Sequence, residues 1–233
     1  MKKLFIAFAL TSALISCKEE TTTPNQTIGK PGANITDADG NSYKTVTIGT
    51  QTWMAENLKV SKYNNGTTIP NITDNTQWQN DTTGAWCYNG NDSANNAKYG
   101  KLYNWYAVSR TTIGNKNVCP AGWHVPTDAE WTVLTDYLGG EIAAGGKMKE
   151  VGTTSWNNPN ANAINTSLFT GLPGGYRDFG GSYVGIGSNG FWWSSTENDT
   201  FYAWNRSLVK TNGLATRRSF NKENGFSVRC LKD

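Results

Sequence analysis

The stretch from residue 119 to 131 constrains the fold of this chain more than any other. It contains Cys119, a tryptophan between two prolines, and the start of the clearest helix in the sequence. Thr127 can cap that helix, and Glu130, three residues later, can reach back to the Thr127 amide to complete a capping box. The apolar residues that follow are spaced to share one helical face: Trp131, Leu134 and Leu138. The pattern therefore predicts a helix that packs on a core and stops at two glycines, residues 139–140.

The first residues have the pattern of an export signal. Two lysines precede an apolar run over residues 4–15, which is too short to span a bilayer as a helix, and Ser16 and Cys17 follow. The boundary is similar to the lipobox of bacterial lipoproteins, which predicts removal of residues 1–16 and lipidation of Cys17. An ordinary cleaved secretory peptide is the alternative.

The residues after Cys17 predict where the protein is held. Residues 18–20, a lysine and two glutamates, resemble the signal that sends lipoproteins of Bacteroidetes to the outer face of the outer membrane. Polar, low-complexity residues then follow. We therefore expect a lipidated cysteine with a flexible tether over residues 17–36 and a single domain over 37–233. The domain is expected on the cell exterior, touching the membrane through its lipid anchor only.

Charge and composition exclude one class of partner. Loss of Lys2 and Lys3 with the signal lowers the 21 basic residues to 19, against 18 acidic ones. A nearly neutral chain without a basic run lacks the footprint of a nucleic-acid-binding protein. Ten tryptophans, ten tyrosines and 25 glycines indicate a core of large aromatic residues joined by tight turns. Some of these aromatic residues are then left for a surface.

The cysteines predict one disulfide. With Cys17 assigned to lipid, three remain in an oxidising compartment: Cys87, Cys119 and Cys230. We expect Cys119 to pair with Cys230, which lies in an apparent last strand, because closing so long a loop stabilises by ~4–5 kcal/mol in the chain-entropy model. Cys87, between Trp86 and Tyr88, is then expected to be a free, buried and inert thiol.

The rest of the chain predicts an antiparallel α+β domain. An Asp-Gly-Asn cluster at 37–41 enters a strand over 43–49; it resembles half of a calcium loop, but Ile48 stands where the bidentate glutamate belongs. A second strand follows with Trp53 and Leu58 inward. Beside them, Glu56 and Asn57 could line a polar pocket, although a hydrogen-bonded strand end is the commoner arrangement.

Further elements are expected towards the C-terminus and in the middle of the chain. A weaker helix from Glu141 to Val151 is interrupted by glycines at 145–146, and short strands begin at residue 167. Residues 60–98 form a long irregular stretch, of a kind that often carries function. In it, Thr82 and Ser93 lie in tripeptides that look like O-glycosylation acceptors of Bacteroidetes.

Six ordered motifs identify a family resemblance. They cover residues 39–41, 53–58, 99–105, 119–126, 192–197 and 227–230. Together they resemble the Fibrobacter succinogenes major paralogous domain, whose members are mostly surface or secreted lipoproteins without an established molecular function. The family in turn looks distantly like the fold of C-type lectins and formylglycine-generating enzymes. The resemblance implies a twisted antiparallel sheet flanked by two helices, with long irregular loops and chain ends close together.

Neither related class has its functional site here. Trp204 and Asn205 are followed by Arg206, which departs from the Trp-Asn-Asp strand of the lectin calcium site, and Cys230 lacks the nearby second cysteine of the generating enzymes. His124 is the single histidine, so a multi-histidine metal site is excluded, and a structural role is the simpler reading. We expect no metal and no cofactor.

The leading hypothesis is a non-enzymatic binding or adhesion domain for a glycan or a surface protein. The candidate contact residues are aromatic or charged: Tyr176, Arg177, Asp178, Trp192, Trp193, Glu197, Trp204 and Arg206. The same aromatic residues could simply form the core. Two alternatives stay open: an enzyme that uses Glu197, Asp178 or His124 as acid or base, and a structural envelope protein. Carboxylates for glycoside hydrolysis could also come from Asp128 or Glu130. The oligomeric state is open.

Overall fold

The computed structural model describes residues 26–109, 114 and 116–233. The signal peptide, Cys17 and the charged tripeptide at 18–20 lie outside these residues. The described part is mixed α+β, as predicted. Its helices are α1 (Asn75–Asn80), α2 (Asn95–Tyr99), α3 (Asp128–Tyr137) and α4 (Glu141–Met148), with 3-10 turns at Asn89–Asn91 and Trp105–Ala107. No helix in the described ranges is long and apolar enough to cross a bilayer.

Two five-stranded sheets, almost wholly antiparallel, form the framework. In chain order the strands are β1 (Lys30–Pro31), β2 (Ile35–Thr36), β3 (Ser42–Tyr43), β4 (Thr45–Ile48), β5 (Gln51–Met54), β6 (Trp86–Cys87), β7 (Leu102–Tyr103), β8 (Trp123–His124), β9 (Gly174–Arg177), β10 (Tyr183–Ile186), β11 (Asn189–Glu197), β12 (Tyr202–Val209), β13 (Thr216–Asn221) and β14 (Leu231–Lys232). The first sheet has the order β1-β4-β5-β14-β8 and the second β10-β9-β11-β12-β13. The first sheet therefore contains strands from both ends of the described chain.

Helix α3 forms as the sequence predicts. The Thr127 hydroxyl accepts a hydrogen bond from the Glu130 amide at 3.2 Å, and a Glu130 carboxylate oxygen accepts one from the Thr127 amide at 2.7 Å. Both glycines after the helix have positive φ, 97° at Gly139 and 83° at Gly140, which other residues rarely adopt. The predicted apolar face is fully buried: Trp131, Leu134 and Leu138.

Helix α4 is continuous, contrary to the predicted interruption. A Cβ at Gly145 would lie 2.1 Å from the Leu214 carbonyl oxygen, and one at Gly146 would lie 2.4 Å from the Asn162 oxygen. The two glycines therefore let neighbouring backbone approach the helix closely, and they do not break it. The helix ends at Met148, short of the expected Val151.

The folded part of the chain begins earlier than the expected boundary at residue 37. The Ile28 amide donates to the Thr166 carbonyl oxygen at 2.7 Å, and Pro31 of β1 pairs with Val46 of β4. β2 and β3 form a small hairpin around the predicted turn at 37–41. Strands β1 and β2 thus lie within the stretch assigned to the flexible tether.

Two large apolar clusters lie on opposite faces of β11, because successive side chains of a strand alternate. Trp192 packs with Trp53, Trp131 and Phe169 beside α3 and α4. Trp193 joins the other cluster with Tyr103 and Phe226. The predicted Cys119–Cys230 disulfide is present, and Cys87 is buried and free. Burial raises the pKa of the Cys87 thiol to about 11.

The predicted strands near the C-terminus differ in two places. The first begins at Gly174 rather than at residue 167, because Asn165, Leu168 and Thr170 adopt left-handed φ values that a strand does not tolerate. Residues 225–227 make isolated bridges instead of a continuous strand, and residues 228–230 are irregular before β14 begins. The sequence pattern missed β13 entirely.

Candidate functional site

A groove of about 440 Å³ lies at the edge of the first sheet. We call it the Glu56 groove. One wall is β1 and the residues after it, the second is β4 and the end of β5, and the third is the loop before β9. Its lining is Pro31, Gly32, Asn34, Lys44, Thr45, Val46, Ala55, Glu56, Leu168 and Thr170. A concave, partly apolar site with a few polar groups is the usual form of a binding site.

Glu56 supplies the carboxylate of the groove. One of its oxygens accepts a hydrogen bond from the Lys44 amide at 2.7 Å, and the other lies 3.6 Å from the Lys59 ammonium. The side chain keeps 35% of its surface exposed, so it remains accessible to a ligand. The exposed Lys44 side chain stands beside it in the lining. The groove therefore presents one group of each charge at its rim.

Behind Glu56, Asn57 and Arg229 form a buried polar centre. The Asn57 side-chain oxygen accepts hydrogen bonds from Trp192 Nε1 and Arg229 Nε, both at 2.9 Å. The Asn57 amide nitrogen donates to the Tyr99 carbonyl oxygen at 2.9 Å. Arg229 has no exposed surface, and burial lowers the pKa of its guanidinium. Glu56 therefore lies in the groove, whereas Asn57 lies in the core behind it.

Arg229 fixes the third wall of the groove. Its guanidinium donates to the carbonyl oxygens of Phe169 and Thr170, the latter at 2.8 Å, and its central carbon lies 4.1 Å from the centre of the Phe169 ring. No carboxylate is among these partners. The buried charge is therefore stabilised by backbone carbonyls, the Asn57 side-chain oxygen and an aromatic face, and at longer range by the charge of Glu56.

The wall that Arg229 holds is strained. Leu168 has φ 56° and Thr170 has φ 54°, and the left-handed region is unfavourable for a leucine and more so for a β-branched threonine. Asn165 supports the loop by accepting a hydrogen bond from the Thr170 amide at 2.9 Å. Strain of this kind costs about 1–3 kcal/mol per residue and clusters at functional sites. Both strained residues line the groove.

The described part of the chain shows no clustered metal ligands, and the turn at 37–41 uses its carboxylates in local hydrogen bonds. No group of three or more histidine, cysteine or carboxylate side chains that could hold a metal occurs in the described ranges. The aspartates of the 37–41 turn are engaged locally: Asp37 accepts from the Asp39 and Asn41 amides, and Asp39 from Ser61. That turn therefore has the structural role that the sequence favoured over a calcium loop.

Four of the eight predicted contact residues are core residues. Trp192 and Trp193 have no exposed surface, because β11 is central in its sheet and both of its faces are covered. Arg177 is also fully buried and donates to the carbonyl oxygens of Ile72 and Thr73 at 2.7 and 2.9 Å. Arg206, with 2% exposure, is the fourth. Their burial argues against contact between these four side chains and a ligand.

The partly exposed candidates lie apart from the groove. Tyr176 packs 4.8 Å from the Phe191 ring centre, and Asp178 accepts a hydrogen bond from the Ser182 amide within a turn. Glu197 is half exposed and lies 2.7 Å from the Lys222 ammonium. None of these three is in the groove lining.

Trp204 and Arg206 belong to an ion-pair network at the start of α3. Arg206 and Arg217 both contact the Asp128 carboxylate, at 2.7 and 2.8 Å, and the Arg217 guanidinium carbon lies 3.3 Å above the Trp204 ring centre. Burial alone would raise the pKa of the Asp128 carboxyl, but hydrogen bonds from Arg217 and Arg206 outweigh it and lower the pKa. Asp128 is therefore held ionised, which does not suit a proton donor.

His124 joins α3 to the last residue of the chain. Its Nδ1 lies 2.6 Å from an Asp233 carboxylate oxygen, and its Nε2 lies 2.9 Å from Glu130. Both ring nitrogens are engaged, in agreement with a structural histidine. The exposed Thr82 and Ser93 are accessible on the surface, as glycan acceptors must be.

The family is decided by the extent of the sequence match. The model of the Fibrobacter succinogenes major domain matches residues 46–232. The chain belongs to this family. Comparison with curated proteins and with solved structures gave no match for this Fibrobacter succinogenes major domain.

Part of the candidate site of this Fibrobacter succinogenes major domain could be predicted from residue type and position. Glu56 was recognised as a candidate pocket residue, whereas Arg229 and Thr170 were not. An arginine between Val228 and Cys230, in an otherwise apolar run, is the signal that could have marked Arg229 as a buried charge. The left-handed conformation of Thr170 leaves no trace in residue type, because threonine is a poor residue for it.

Proposed function

We propose that this domain is a non-enzymatic binding module displayed outside the cell, and that its ligand is a short segment of another protein held in the Glu56 groove. The observation that carries the proposal is the strained wall of the groove. Leu168 and Thr170 adopt unfavourable conformations that only the surrounding contacts maintain, and both line the Glu56 groove.

The chemistry of the lining favours a peptide over a sugar. Glycan sites commonly offer an aromatic ring for stacking, but among the described residues no aromatic side chain lines the groove, and Trp192 and Trp193 are buried. Lys44 and Glu56 at the rim complement charged side chains of opposite sign on a partner. Val46, Ala55 and Leu168 supply apolar contact between them.

Two observations support the proposed cellular location of the module. A disulfide between Cys119 and Cys230 indicates a location outside the cytoplasm. The lipobox-like sequence ending in Cys17 and the charged tripeptide after it support an outer-membrane anchor that faces the exterior.

A lectin-like fold is part of the same proposal. Strands β1 and β14, from the two ends of the described chain, lie in one sheet, and α3 and α4 pack beside the second. Both features match the arrangement that the family resemblance implies. The binding role does not depend on this likeness, because a fold does not determine function.

The test compares two kinds of probe on the same purified protein, with calcium and with chelator. A random-peptide display library should yield peptides that bind, and Glu56→Gln and Lys44→Gln should each weaken that binding. Arg218→Gln, an exposed change on β13, is the matched control and should leave binding unchanged.

Specific binding on a glycan array that the groove variants leave intact would contradict the assignment of ligand and site together. Peptides that bind equally well to Glu56→Gln would contradict the site alone. Turnover of a bound peptide would contradict the non-enzymatic role.

A further inference from the structure

A second cavity adjoins the Glu56 groove at Leu168. Its volume is about 410 Å³, and Leu168 lines both cavities. Thr27, at the start of the described chain, lines it together with Val151 and Ile164. Val151 is 56% exposed and Ile164 is 43% exposed. We call the surface around Thr27, Val151, Ile164 and Leu168 the entry face.

We infer that the entry face rests on the lipid bilayer. The inference rests on the proposed lipid anchor, and it goes beyond that anchor, since the membrane is then touched by the domain itself. Two exposed aliphatic side chains beside one cavity are unfavourable in water and favourable at the boundary between headgroups and acyl chains.

The length of the tether determines which face meets the membrane. Thr27 follows Cys17 by ten residues. Ten residues span at most about 35 Å when fully extended, and a flexible chain of that length averages about 17 Å. A domain of this size is about 40 Å across. The face that carries Thr27 is therefore held near the bilayer, and the opposite face is not.

The charges around the entry face fit anionic lipid headgroups. Lys98 is exposed, and its ammonium donates to the Thr154 carbonyl oxygen at 3.0 Å, which places it beside the loop that carries Val151. Lys30 is exposed on β1, three residues after Thr27. Glu150 is the acid next to Val151, and one of its carboxylate oxygens is fully buried. Lysines near a bilayer surface are attracted to anionic lipids.

The lipid anchor allows the small entry face to hold the domain against the bilayer. A surface with two exposed aliphatic residues would bind vesicles weakly on its own. Once the chain is anchored, docking is intramolecular, and the effective concentration of the surface reaches the millimolar range. The entry face is thus expected to orient an anchored protein and not to recruit a free one.

The test uses the acylated full chain in vesicles of phosphatidylethanolamine and phosphatidylglycerol. A fluorophore is attached at Ile164→Cys or, as the control, at Phe201→Cys, a 67% exposed position in the turn between β11 and β12. Cys87 is buried with a raised pKa and does not compete for the label. Quenching by a spin-labelled lipid should be about twofold or more stronger at position 164. Adding Val151→Glu should lower it to the level of position 201.

Equal quenching at both positions, or quenching at 164 that Val151→Glu leaves unchanged, would overturn the entry face. Sedimentation with the vesicles reads the anchor separately, with Cys17→Ala as its control. A chain that does not sediment overturns the anchor and the entry face together. A chain that sediments with equal quenching overturns the entry face only and leaves the proposed binding role intact.

Discussion

The start of α3 and the wall of the Glu56 groove both depend on buried arginines, but they neutralise them in opposite ways. At α3, Arg206 is paired with the Asp128 carboxylate at 2.7 Å, and the helix carries a complete capping box. At the groove, Arg229 has no carboxylate partner and donates to the backbone of two neighbouring residues, one of them the left-handed Thr170.

The comparison separates structure built by local rules from structure imposed by distant contacts. The capping box and the apolar face of α3 follow from residues close in sequence, although the arginine that pairs with Asp128 lies 78 residues away. The groove wall adopts a conformation that its own residues disfavour, and the partner that holds it lies 59 residues away. Local rules fail most often where a protein maintains a function, so this contrast supports the placement of the binding site.

The largest expected effect comes from removing the distant partner. Arg229→Met keeps an unbranched apolar chain but leaves the Phe169 and Thr170 carbonyl oxygens without a donor inside the protein. We expect the free energy of unfolding to fall by about 3 kcal/mol. Urea unfolding with the disulfide intact measures it.

Arg218→Met is the control for this change, since Arg218 is exposed, and it should alter stability by no more than about 0.5 kcal/mol. If Arg229→Met costs as little as the control, Arg229 does not hold the wall.

Loss of the ion pair between Asp128 and Arg206 should lower the free energy of unfolding by a smaller amount, and this amount should depend on pH. Asp128→Asn leaves the buried Arg206 cation without its anion and should cost about 2 kcal/mol at pH 7. The lowered pKa means that Asp128 stabilises the fold above its ordinary value of 3.8, and that this stability is lost as the pH falls through the lowered pKa. The difference between wild type and variant should thus be constant above about pH 5 and shrink below about pH 4.

Urea unfolding at several pH values measures this difference. A gap that stays the same down to pH 3 would show that the charge of Asp128 is not what stabilises the helix start.

The smallest expected effect concerns the backbone strain at Thr170. There, the order of stability of the glycine and alanine variants should be the reverse of the order in a helix. At Thr170, glycine tolerates the left-handed conformation and alanine does not, so Thr170→Gly should be more stable than Thr170→Ala by about 1 kcal/mol. At the half-exposed Val133 in the middle of α3, the order should reverse, with Val133→Ala more stable than Val133→Gly by about 1 kcal/mol. Thermal or urea unfolding of the four variants measures both differences. The same order at both positions would contradict strain at the groove.

The elements that could be predicted from the sequence are those set by nearby residues. The cap, the apolar face and the glycine stop of α3 all depend on residues 127–140, and all three are correct. The Cys119–Cys230 pairing was also predicted, because few cysteines were available to pair.

The predictions that the structure corrects concern features that depend on tertiary contacts. The continuity of α4 depends on a close approach by residue 214, which its own sequence does not reveal. Trp192 and Trp193 were candidates for a surface, but both faces of β11 are covered by other parts of the chain. Predicting the Glu56 groove requires knowing how β1, β4 and the loop at 168–170 meet in space, and the sequence pattern does not show this.

The position of the disulfide has a consequence for when the groove is complete. Cys230 follows Arg229 directly, so the bond to Cys119 holds the segment that presents the guanidinium to the groove wall. That bond forms only in an oxidising compartment. A chain in which Cys119 and Cys230 are reduced therefore lacks this restraint on the wall of the Glu56 groove, and the wall is fully held only once the disulfide has formed.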